Sequence, residues 1–171
     1  MKIEKNIVAI GGGGFGRTVK DLRIEEYILS LSKKEKPNIC FIPTATGDND
    51  SYKVNYYDVF TKFNCNPTHI DFFKRTINLE KHIDEQDIIF VGGGNTKSML
   101  AVWREWRLDE ILHKAYIKGT IMSGVVLELF VGLRKELLIH GKIIKPFFPV
   151  LVLLKEYVVR TMMKSLRGYL L

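Results

Sequence analysis

At 171 residues, with 46% hydrophobic and 26% charged residues, the chain has the composition of one folded domain with a real core, for which disorder is not the default. Its net charge of +7 is unevenly spread: residues 1–133 hold 18 basic and 17 acidic side chains, so the excess lies from Arg134 onward. That basic stretch lacks the interleaved aromatics or fold motif of a nucleic-acid binder, and no nucleic-acid partner is expected.

Met1 is followed at once by Lys2-Ile3-Glu4-Lys5 and a strand-like run, so no apolar signal segment precedes the fold and a cytoplasmic protein is expected. Residues 6–10 predict a first strand that opens into Gly11-Gly12-Gly13-Gly14-Phe15-Gly16. The helical spacing of Ile24, Ile28, Leu29 and Leu31 predicts a helix over 22–31, closed by the solvated loop 33–37. Residues 39–42 form a second strand stopped by Pro43, with residues 44–48 as its exit loop. A helix over 50–63 with Val54, Tyr57 and Phe60 to Phe63 on one face, a third strand over 67–73 and a short helix or turn over 77–83 follow.

Residues 87–91 read as a fourth strand, apolar without alternation and therefore covered on both faces. It runs out through Gly92-Gly93-Gly94-Asn95, with Thr96 as the expected N-cap of a helix over 96–106. That helix should turn Met99, Leu100, Val102, Trp103 and Trp106 inward. A helix over 108–117, stopped by Gly119, and a fifth strand over 120–124 complete the pattern. Alternating strands and helices predict an α/β fold with a doubly wound, mainly parallel sheet.

Residues 1–124 are therefore assigned to one α/β domain and residues 125–171 to a separate basic, Leu-rich tail. The tail has eleven Leu and no Ala, Asp, Asn, Cys or Gln. Its apolar stretch 143–154 is broken by Pro146 and Pro149 and falls short of the ~20 residues that span a bilayer, so no membrane partner is expected.

Chemistry-bearing signals are sparse. Gly11-x-Gly13-x-x-Gly16 matches the dinucleotide fingerprint, yet Ile42-Pro43-Thr44 ends the second strand where an acidic residue should hold the ribose. Asp48 and Asp50 come only later in the loop, and neither glycine run carries a P-loop lysine. Cys40 and Cys65 are too few for a disulfide framework, and His69, His82, His113 and His140 have no metal-ligand spacing, so no metal and no cofactor are expected. The turn at Gly92, Gly93 and Gly94 presents backbone N–H groups at the carboxyl end of a sheet, where α/β proteins place their sites.

Ile10-Gly11-Gly12-Gly13, Phe41-Ile42-Pro43-Thr44-Ala45, Phe90-Val91-Gly92-Gly93-Gly94-Asn95-Thr96, Met99 to Trp106 and Leu108 to Leu112 together resemble the peptidase E serine peptidases, which include aspartyl dipeptidases and cyanophycinases. The resemblance covers about residues 5–124. It implies a sheet like that of class I glutamine amidotransferases and a short peptide as substrate. It also implies a Ser nucleophile on a sharp turn, assisted by His and an acidic residue. By that resemblance Gly92, Gly93 and Gly94 supply one side of an oxyanion hole, and Asn95, Thr96, Thr44, Gly12 and Gly13 lie in the substrate loops.

The nucleophile elbow should follow the fifth strand, but Ser123-Gly124-Val125-Val126-Leu127 stands there, with Val126 at the serine position. Valine has no nucleophilic atom, so the chain as written cannot form an acyl-enzyme. Ser123 is three positions early and inside the strand.

Read one base out of phase, the codons for residues 125–141 permit S-A-G-A-I-C-W-F-E-K-G-I-T-D-S-W, and those for 158–165 permit C-C-P-H-Y-D-E-E. These strings hold the missing serine elbow and a histidine in a context like the family's. A one-base deletion near the Val125 codon is the expectation that follows. A sheet with a replaced second half exposes edges and apolar surface, which favours a homo-oligomer. The alternative reading is a non-catalytic module that holds an anion or nucleotide at its glycine turns.

Overall fold

The computed structural model describes residues 5–10, 22–74, 78–125, 138–139 and 142–143. Five strands, β1 (Ile7–Ile10), β2 (Asn38–Ile42), β3 (Asn66–His69), β4 (Ile88–Val91) and β5 (Ile121–Val125), form one sheet in the order β1-β5-β4-β2-β3. All four pairings are parallel, so the α/β expectation holds. The helices are α1 (Arg23–Ser30), α2 (Asp50–Phe60), α3 (Leu79–Asp84), α4 (Thr96–Glu105) and α5 (Leu108–Lys118).

The strand order fixes how the helices are distributed. The chain moves one way across the sheet from β1 to β2 to β3, and the other way from β3 to β4 to β5. Right-handed crossovers then put α1 and α2 on one face and α3, α4 and α5 on the other. Buried side chains agree: Ile39 and Phe41 of β2, Ile88 and Phe90 of β4, and Ile121 of β5 pack with Ile28 of α1 and Tyr56, Val59 and Phe60 of α2. Removing each large side chain from water is worth about 1.5–3 kcal/mol, so this cluster is a major source of stability. On the opposite side α5 packs against both α3 and α4, and Lys114–Glu80 (2.9 Å) and Lys118–Asp84 (2.7 Å) tie α5 to α3.

Several boundaries and faces differ from expectation. Helix α2 ends at Phe60, and it buries Lys53, Tyr56, Val59 and Phe60 while Val54 is 64% exposed. Strand β3 stops at His69 because the backbone of Phe72 and Phe73 turns to donate to the Asp48 carboxylate instead of extending the ladder. In α4 only Met99 and Trp103 are buried, and Trp106 is 41% exposed. Helix α1 turns Glu25 inward with Ile28 and leaves Ile24 exposed.

The chain divides into two compact units, residues 1–127 and 128–171. In the second, β6 (Leu138–Ile139) and β7 (Lys142–Ile143) pair antiparallel. Among the described residues no helix is long and apolar enough to cross a membrane.

Candidate functional site

The outgoing connections of β2 and β4 run in opposite directions across the sheet, so the topological switch point lies between these two neighbours. At their carboxyl ends two loops meet. The loop after β2 is Pro43, a 3₁₀ turn over Thr44–Thr46, and Gly47. The loop after β4 is Gly92-Gly93-Gly94-Asn95.

Backbone bonds lock the two loops together. The Gly92 N–H donates to the Ile42 carbonyl (3.0 Å), carrying the ladder one residue past β4, and the Asn95 N–H donates to the Ala45 carbonyl (2.7 Å). Helix α4 packs on the 3₁₀ turn, and its Trp103 Nε1–H donates to Thr44 Oγ1 at 3.3 Å. Thr44 is thus a buried brace, 2% exposed, and its hydroxyl faces Trp103.

Geometry explains two of the glycines. A Cβ on Gly92 would sit 3.0 Å from both the Phe41 and Tyr52 rings. Gly94 has φ of +147°, and a Cβ there would lie 2.4 Å from the Ala45 carbonyl oxygen. A side chain at Gly94 therefore opposes both backbone conformation and packing.

The helix cap corrects the expected position. Asn95, not Thr96, is the N-cap of α4, with its side-chain oxygen accepting from the Ser98 N–H at 3.0 Å. Asn95 competes better for this place because its side chain reaches the N–H three residues on, and Thr96 becomes the first helical residue. With the N–H groups of Gly92 and Asn95 engaged, those of Gly93 and Gly94 donate to no other described residue. They sit at the start of a helix, where a partial positive charge favours anions. Of the expected oxyanion donors Gly92, Gly93 and Gly94, the first has its N–H engaged in the ladder and the last two have no described acceptor.

Ser123 offers no nucleophile. It lies within β5, 4% exposed, and its Oγ donates to the Ile89 carbonyl at 3.0 Å. Gly124 is fitted against β4, since a Cβ there would lie 2.9 Å from the Val91 carbonyl oxygen. Val126 follows β5 directly and lies outside the described residues, as do Gly12, Gly13 and the whole Gly11 to Gly16 turn.

Several other titratable groups are held in packing contacts or pairs. Cys40 and Cys65 are buried free thiols, and burial pushes Cys40 up to about 12, so it is no thiolate at neutral pH. Asp48 Oδ2 accepts from the Phe72 and Phe73 N–H groups, which ties the exit of β2 to the exit of β3. Tyr57 Oη and His69 Nδ1 are 2.7 Å apart, and His69 Nε2 lies 3.5 Å from Asp71, which is paired with Lys53 at 2.8 Å. Two roles were not legible from sequence: the Ala45 carbonyl as anchor of the glycine turn, and Trp103 as brace of Thr44. The first is a main-chain group and leaves no side-chain signal. The second sat in plain view as an apolar residue at helical spacing. No group of three or more His, Cys, Asp or Glu poised to hold a metal is present among the described residues.

Comparison with known proteins adds the family context. The model of Peptidase family S51 matches residues 7–126. A curated relative described as the uncharacterized peptidase YgaJ of Bacillus subtilis (strain 168) is 43% identical over 122 residues, which is 71% of this chain and 53% of that protein. The chain therefore spans about half the length of this relative. A solved structure of a putative peptidase E protein from Listeria monocytogenes EGD-e superposes with a TM-score of 0.57 at 17% identity, over 75% of this chain and 61% of that one. A peptidase from an acI-B1 Actinobacterium gives 0.54 at 14% identity, over 75% and 57%. These two likenesses establish the shared fold.

Proposed function

Because the chain belongs to peptidase family S51, we propose that residues 7–126 form the oxyanion side of a serine-peptidase-like hydrolase of short peptides, inactive in this form for want of its nucleophile. The observation that carries this reading is the pair of N–H groups at Gly93 and Gly94 that donate to no other described residue, in a turn tied by Asn95 to the Ala45 carbonyl and braced by Thr44 and Trp103. In acyl transfer such donors stabilise the oxygen that becomes negative as the carbonyl carbon turns tetrahedral, and one donor is worth about 2.7–4 kcal/mol. The attacking hydroxyl belongs on the turn that follows β5, where the sequence has Val126. Buried Ser123 is bonded to Ile89 and cannot replace it. Asn95, Thr96 and Thr44 then act around the substrate as loop and brace, with no proton-transfer role.

The test is incubation with Asp-X dipeptides and with a serine-reactive fluorophosphonate. Neither turnover nor labelling is expected, and either one refutes the claim of inactivity. The same turn would also serve a non-catalytic anion- or nucleotide-binding module. Thermal stabilisation by a nucleotide, absent with peptides, would favour that reading over the hydrolase one.

A further inference from the structure

We draw no further inference here: the strongest candidate, the exposed aromatic surface patch of Phe73 and Trp106 where α4 ends against Phe72, carries nothing because nothing in the structure shows what covers it.

Discussion

Two glycines in left-handed conformation, Gly94 and Gly47, separate what a site demands from what a turn demands. Gly47 has φ of +66° and nothing within 4 Å of a would-be Cβ, whereas Gly94 has φ of +147° and the Ala45 carbonyl oxygen 2.4 Å away. Gly47→Ala is expected to cost about 1 kcal/mol, the ordinary penalty of a left-handed non-glycine residue. Gly94→Ala should cost about 3 kcal/mol or more, because strained backbone adds to a clash with main chain that cannot rotate away. Urea midpoints of the two variants check this, and equal midpoints would overturn the account of the turn. His82 supplies a pH-dependent prediction. Burial holds its imidazole below the ordinary value of 6.5, so the folded chain binds fewer protons there than the unfolded chain. Its contribution is present above pH 6.5 and is lost as the pH falls from there toward the folded value. His82→Gln should flatten the fall in urea midpoint across that acidic window, and an unchanged slope would rule the residue out.

Elements were legible where side chains alone define them and illegible where the main chain intervenes. Ile88-Ile89-Phe90 and Ile39-Cys40-Phe41-Ile42 are fully buried runs that announce inner parallel strands, and both lie within the expected strands. The end of β3 was misplaced because Ile70, Phe72 and Phe73 read as strand, while the Asp48 carboxylate recruits the Phe72 and Phe73 N–H groups away from any ladder. The inward face of α2 is partly as expected, since Phe60 is buried and Tyr57 and Phe63 pack against the core, but Val54 is exposed and the charged Lys53 is 6% exposed. It is buried as an ion: hydrogen bonds to Asp50 and Asp71 outweigh the burial that would otherwise lower its affinity for the proton, and the net shift is upward. That pairing fastens α2 to the exit of β3. Lys53→Met leaves Asp71 half-satisfied in a largely dry place and should cost about 1–3 kcal/mol, whereas Lys62→Met, which breaks the exposed pair with Asp58, should cost under about 1 kcal/mol. Thermal denaturation of the two variants side by side separates them. The candidate site was half legible for the same reason. Three glycines mark a turn in any sequence, but which N–H groups of the turn are engaged among the described residues depends on where the Ile42 and Ala45 carbonyls fall.

For the whole molecule, the decisive facts meet at one position. The family match stops at residue 126 although the chain continues to Leu171, and the matched region is 53% of the curated relative. Just there the composition changes: residues 1–133 are nearly neutral, and from Arg134 onward eight basic residues face two acidic ones. Divergence by ordinary substitution would erode the match gradually on both sides of β5. Instead β5 pairs in register with both β1 and β4, and its Gly124 still fits against the Val91 backbone, so the scaffold is intact up to the edge of the change. We propose that a one-base deletion near the Val125 codon accounts for an abrupt boundary that leaves everything before it untouched. On that account the out-of-phase codons, which permit a serine opposite Val126 and fifteen residues after it, would spell that string. Inserting one base into the Val125 codon is therefore expected to give a protein that a fluorophosphonate labels at residue 126, while the present chain stays unlabelled. If the gene's third-position bases do not spell that string, the phase-shift explanation is wrong and the tail is a divergent segment in its own right.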